Sequence, residues 1–320
     1  MKNYFLLLTF CLVLFSCDKK SKVEKAVEAI PVELKVVRFD KAFFEAKPAD
    51  LQNLKAEYPF FFPEGVEDKV WIDKMQNKDW KDLYAEVAKK YPNFNAQTDE
   101  IENLFKHFKY YFPQTIMPEI YTVIGNMDYN NKAIYANDKL IIALELYLGK
   151  NVKFYTDAEY IKQNFEERQM MPDIVSSYAL GKIPPPSDKT LLAQMIYYGK
   201  ELYLKDLMLP DYTDAEKIGY TPEHITWCQE NESYMWRYFI EKEYLYSSDS
   251  KLPNRFINLA PFTKFYLEID NESPGRVGQW IGWQIVRSFM ENNEVSLQDM
   301  LKMNAKELFE KSKYKPKKNE

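Results

Sequence analysis

Glu119-Ile120-Tyr121-Thr122-Val123-Ile124 and, beyond a polar turn at Asp128-Tyr129-Asn130-Asn131, the run from Ala133 to Leu144 decide the fold class. Both are short apolar stretches, rich in β-branched and aromatic residues and bounded by turn formers, so both read as strands. Upstream, Val32, Leu34 and Val36 alternate with Glu33 and Lys35, which reads as a strand over residues 31–39. Outside these runs the pattern is helical almost to the end. The expected architecture is therefore α+β and mostly helical, with a small N-terminal antiparallel sheet followed by a helical array.

The helical signals are local. Residues 40–113 read mostly helical, with breaks at Tyr58-Pro59, Phe62-Pro63 and Tyr91-Pro92. Asp99 with Glu102 three positions on can cap a helix whose apolar stripe is Ile101, Leu104, Phe105, Phe108 and Phe112. Thr156 with Glu159 and Thr213 with Glu216 match the same capping box. Thr221-Pro222 and Ser273-Pro274 each read as an N-cap followed by Pro at the first helical position. Ile183-Pro184-Pro185-Pro186 is a rigid linker between two helical segments, too short for a domain boundary.

Composition narrows the function classes. The chain has 320 residues and a formal charge of −5, so the basic footprint of nucleic-acid binding is missing. Only 9 residues are Gly, which argues against phosphate-cradling loops and turn-rich barrels. Aromatics make up 16%, enough to fill a large core and leave rings for a surface. A mean hydropathy of −0.49 excludes a multi-span membrane protein.

The N-terminus carries a targeting signal. Lys2 precedes an apolar run from Tyr4 to Phe15, too short to span a bilayer and of signal-peptide length. The run ends in Leu14-Phe15-Ser16-Cys17, the lipobox pattern in which the Cys thiol takes a diacylglyceryl group and becomes the new N-terminus. Lipidation at Cys17 leaves Cys228 as the only other cysteine of the processed chain, so no intramolecular disulfide is expected. Asp18-Lys19-Lys20-Ser21-Lys22 opens a solvated tether. The expected organisation is a signal peptide over 1–16, a lipidated tether over 17–30, one α+β domain over 31–310 and a frayed basic tail over 311–320.

Chemistry-bearing constellations are sparse. His107 and His224 are the only histidines, so H-E-x-x-H is absent. His107 falls off its helix's apolar stripe and is expected to be exposed. His224 and Cys228 share a helix face, but Cys228 lies on a stripe with Met235 and Phe239 and reads as core. There is no G-x-S-x-G for a serine nucleophile. Glu166-Glu167 beside Arg168 reads as a solvated helix face rather than a hydrolase pair. The most distinctive stretch is Ser273-Pro274-Gly275-Arg276-Val277-Gly278-Gln279-Trp280-Ile281-Gly282-Trp283. Its glycines, three and four apart, would line one helix face and let another backbone come close.

Taken in order, Ser16-Cys17, Arg38-Phe39-Asp40 with Phe43-Phe44, Tyr58-Pro59-Phe60-Phe61, Tyr147-Leu148-Gly149-Lys150, Tyr198-Gly199-Lys200 with Leu209-Pro210, Ala260-Pro261-Phe262 and Ser273 through Gly282 resemble the gliding-motility lipoprotein GldB family of Bacteroidetes. The resemblance covers essentially the whole chain. It implies a lipoprotein needed for gliding and associated with the type IX secretion and motility apparatus. The family is also similar, distantly, to predicted zinc-dependent proteases. The helix comparable to theirs falls around Met171-Pro172-Asp173-Ile174-Val175-Ser176 and has no histidine, and Tyr198 stands where those proteases carry Glu. The resemblance thus implies a degenerate zincin-like, non-catalytic fold without metal or cofactor.

The expected role is to bind other gliding and secretion machinery proteins from a lipid-anchored, periplasm-facing position; no acidic run follows Cys17 to mark export to the surface. The expected contact surface is the cleft of a former active site, with Asp173, Ser176, Tyr198, Lys200 and Arg276 at its border. The rivals are a carboxylate-dependent periplasmic hydrolase and a glycan-binding nutrient-uptake lipoprotein with exposed aromatic platforms.

Overall fold

A computed structural model describes residues 21–317. The signal peptide and Cys17 lie outside the described residues. The chain runs α1 (Lys22–Glu28), β1 (Val36–Val37), α2 (Phe39–Phe44), α3 (Leu51–Glu57), α4 (Asp68–Gln76), α5 (Lys78–Lys90), α6 (Asn95–Tyr111), β2 (Glu119–Val123), β3 (Ala133–Ala136) and β4 (Lys139–Ala143). It continues through α7 (Glu159–Lys162), α8 (Met170–Ala179), α9 (Leu191–Met208), α10 (Asp214–Ile218), α11 (Pro222–Glu241), α12 (Leu252–Phe256), α13 (Val277–Asn292), α14 (Leu297–Lys302) and α15 (Ala305–Ser312). The fold is α+β and mostly helical. Among the described residues no helix is long and apolar enough to cross a membrane.

The sheet is mixed rather than antiparallel. Its order is β1-β2-β4-β3. β2 runs parallel to both β1 and β4, with Ile120 opposite Val36 on one side and Leu140 on the other. Only β3 and β4 are antiparallel. The run Ala133 to Leu144 is thus a hairpin, not one strand. Asn137 adopts a left-handed conformation, φ +55°, which turns the chain back within that run. Pairing along residues 31–39 is confined to Val36 and Val37. Behind them Asp40 is buried and accepts from Arg38 at 2.7 and 2.9 Å and from the Thr122 hydroxyl at 2.5 Å, which ties α2 to the sheet.

Three segments differ from their reading in the sequence. Residues expected to be a solvated tether form α1, closed by a capping box between Ser21 and Glu24 and docked on α6 through buried Val27. Most of the tail expected to fray is docked as well: Tyr314 donates to Glu232 at 2.7 Å and meets Trp236 edge-on. Helix α6 starts at Asn95, ahead of the proposed Asp99 cap, and His107 is buried. Because α1, α8 and α9 all pack on α6, its buried face is wider than one stripe. His107 Nδ1 lies 3.0 Å from the Asn103 carbonyl.

The helical array centres on α9 and α13. The glycines set their approach: a Cβ on Gly199 would overlap the Gly282 carbonyl, and a Cβ on Gly282 would overlap the Met195 carbonyl. Each glycine costs about 1 kcal/mol of helix propensity relative to Ala. Close packing offsets it, with Trp283, Ile285 and Met195 fully buried beside the crossing. Gly275 lies outside α13. Ser273 does not cap that helix either, because its hydroxyl binds Thr263 and the Asp270 carbonyl. The Tyr220 hydroxyl donates to the Gly275 carbonyl and the Thr263 hydroxyl to that of Pro274. The helix therefore begins at Val277, after Arg276 in a left-handed conformation, φ +64°.

Candidate functional site

A cleft of about 420 Å³ opens between α8, α9, the end of α10, the start of α13 and the loop before β3. Asp173 and Ser176 come from α8, Tyr198, Glu201 and Lys205 from α9, Lys217 from α10, Lys132 from the loop, and Arg276 and Gln279 from the α13 entry. Four of the five residues singled out in the sequence, Asp173, Ser176, Tyr198 and Arg276, line it together. Lys200 does not. It points away from the cleft and donates to the carbonyls of Leu301 and Met303 at 2.9 and 2.7 Å, fastening α14 to α9. Burial pushes its ammonium down to about 8.

The charges in the cleft are largely matched in pairs. Asp173 accepts from Lys132 at 2.6 Å and from the Tyr147 hydroxyl at 2.9 Å. Glu201 accepts from Ser176 at 2.6 Å and pairs with buried Lys205 at 3.3 Å. Lys217 pairs with Asp206 at 3.0 Å. Asp206 in turn holds Arg287 at 2.7 and 2.8 Å and the Trp283 indole at 2.8 Å. Burial raises the Tyr198 hydroxyl, Glu201 adds to the rise, and Arg276 opposes it. Arg276 makes no ion pair among the described residues: it donates to the Gly219 carbonyl at 3.2 Å and lies 5.3 Å over the Tyr220 ring.

Several of these residues escape sequence reasoning. Lys132 lies 41 positions from Asp173, and nothing local links them. Glu201 and Lys205 stand one helical turn apart, a spacing that was legible. Glu145 carries no such local signal. It is fully buried, accepts from the Gly125 and Met127 N–H groups at 2.8 and 3.4 Å, and leaves Oε2 without a partner. Lys74 holds the same loop through the Ile124 and Gly125 carbonyls. Burial lifts the Glu145 carboxyl to about 7, against the pull of those N–H groups and of Lys74. The loop so held leads to Tyr129, Asn130 and Lys132 on the cleft wall.

Among the described residues no group of three or more His, Cys, Asp or Glu is placed to hold a metal ion. His224 closes the capping box of α11, and Cys228 is core, its thiol raised by burial and by Glu232. Asp173 and Glu201, the cleft carboxylates, are each engaged by a lysine and a hydroxyl. The aromatic run after Tyr58 folds into a ring cluster with Phe39, Phe43 and Tyr121, in which Phe60 alone of the run is exposed.

Comparison with known proteins gives one assignment. The model of the gliding motility protein GldB family matches residues 20–316, and the chain belongs to that family. No curated protein and no solved structure matches the chain.

Proposed function

We propose that this GldB-family chain is a non-catalytic component of the gliding apparatus, lipid-anchored at Cys17 and facing the periplasm. It acts by holding other proteins of the motility and type IX secretion machinery, and the cleft is its contact surface. The observation that carries this reading is the state of the cleft's polar groups. Lys132, Asp173, Ser176, Glu201, Lys205 and Lys217 are each engaged with a neighbour in the fold. Such a surface is pre-organised for recognition, since little side-chain freedom remains to be lost on binding. A nucleophile with a free base beside it, the signature of covalent catalysis, is not among these groups.

The test is a deletion strain complemented with wild type, with Cys17→Ala and with Asn258→Trp, scored for single-cell gliding and adhesin export. Asn258 is exposed at the cleft rim, so a Trp there fills the opening without entering the core. Gliding restored by wild type alone supports the reading. Full restoration by Asn258→Trp removes the cleft from it, and full restoration by Cys17→Ala removes the anchor.

A further inference from the structure

The three cleft lysines each face a carboxylate, and Arg276 does not. Of its five N–H donors, the structure commits one, to the Gly219 carbonyl. The Tyr198 hydroxyl beside it makes no hydrogen bond among the described residues, and Arg276 acts on it electrostatically. The lining thus carries four cations, Lys132, Lys205, Lys217 and Arg276, and three carboxylates answer them, Asp173 and Glu201 in the lining and Asp206 behind Lys217, on a chain whose net charge is −5. The excess is local and centres on the one guanidinium without a counter-charge.

The backbone at that residue is also unusual. Arg276 sits at φ +64°, a conformation in which glycine is at ease and a side chain is not. Its surroundings impose the conformation: Gly275 is wedged against the Ala260 backbone, and the hydroxyls of Tyr220 and Thr263 hold the two preceding carbonyls. Strain of this kind concentrates where a side chain must be presented. Next to the guanidinium the wall becomes apolar, with Ile218 and Ile257 buried and Leu259 exposed.

We propose that the cleft receives an acidic segment of a protein partner, with one carboxylate on the Arg276 guanidinium and the Tyr198 hydroxyl and an adjoining apolar residue against Leu259. This rests on the cleft being the contact surface. A planar fork with free donors matches a carboxylate in bidentate fashion. One unmatched positive charge balances one carboxylate, and the apolar flank suits a peptide rather than a free anion.

The experiment uses the full-length chain and a fluorescein-labelled peptide alternating Glu with Leu, followed by anisotropy. Its Gln–Leu isostere is the control, and inorganic phosphate is the small-anion probe. The acidic peptide binds, and the isostere binds roughly tenfold more weakly or worse. Arg276→Gly is the decisive variant, because glycine relaxes φ +64° and the fold is retained. It keeps the wild-type melting temperature within a few degrees and loses roughly tenfold or more of peptide affinity. Arg276→Lys, which keeps the charge but not the fork, falls between. Equal binding by wild type and Arg276→Gly overturns the proposal, as does equal binding of the isostere. Phosphate binding without peptide binding assigns the site to a small anion and overturns it too. Loss of gliding in the Asn258→Trp strain alongside any of these failures retires the acidic ligand alone and leaves the cleft as the contact surface.

Discussion

Gly199 of α9 and Gly282 of α13 meet backbone to backbone, with no room for a methyl group between them. The crossing sets the separation of the cleft walls, because Tyr198, Glu201 and Lys205 ride on α9 and Arg276 stands at the head of α13. Gly282→Ala would drive its Cβ into the Met195 carbonyl, which is backbone and cannot swing aside. The expected cost is about 3 kcal/mol, read as a lowered denaturation midpoint. Gly181→Ala is the control: its nearest neighbour is an ordinary 3.7 Å away and its φ is not positive, so its midpoint stays near wild type.

Glu145 gives a pH dependence of defined sign. Its carboxyl is raised from 4.5 to about 7 in the fold, so between those values the folded state holds a proton that the unfolded chain has released. Stability therefore falls as pH rises through that window, by about 3 kcal/mol for a shift of this size. Glu145→Gln lacks the titration. Urea unfolding at pH 5 and pH 7.5, about the ends of the window, should show the wild type losing stability and the variant holding it. Equal slopes in the two proteins would exclude Glu145 as the source.

Arg287 bridges Asp206 and Asp214 through four hydrogen bonds of 2.7–2.8 Å and stacks 3.7 Å from the Trp283 ring. Arg287→Gln leaves Asp214 without its cation, at an expected cost of about 3 kcal/mol. The same change alters acid stability. Burial raises the Asp214 carboxyl, but the hydrogen bonds and charge of Arg287 outweigh it and hold the group below 3.8. A lowered carboxyl stabilises the fold above its ordinary range and loses that contribution as pH falls through its folded value. The variant should acid-unfold at a higher pH than wild type, followed by circular dichroism.

Lys200 serves the scaffold rather than the cleft. Lys200→Met leaves the Leu301 and Met303 carbonyls unpaired under α14, for about 1–3 kcal/mol of stability. Binding of an acidic peptide should be unchanged below the melting transition. Weaker binding in the folded variant would return Lys200 to the contact surface.

What the sequence allowed to be read depended on range. The Thr213 and Thr221 caps are contacts over three residues and form, whereas the equally local Asp99, Thr156 and Ser273 caps do not. The sheet was harder. Asn137-Asp138-Lys139 is a polar turn signal inside a run that otherwise reads as one strand, and parallel pairing of β2 with β4 leaves no short-range signature. The cleft was half legible. Asp173, Ser176, Tyr198 and Arg276 converge, whereas Lys200 was misplaced although two positions along a helix from Tyr198 mean opposite sides of it. Glu145 could not be found: a single acid between Leu144 and Leu146 shows its burial only once the loop from Ile124 closes over it.

The docked first helix has a mechanical consequence. With α1 packed on α6 and capped by Ser21, only residues 18–20 separate the proposed lipid attachment at Cys17 from folded structure. The four steps from Cys17 to Ser21 reach at most about 14 Å, however far they stretch. The domain would then not swing on a long leash but ride against the headgroups with its α1 face down. A load applied at the cleft would pass into the bilayer through a short link, with little slack to absorb it.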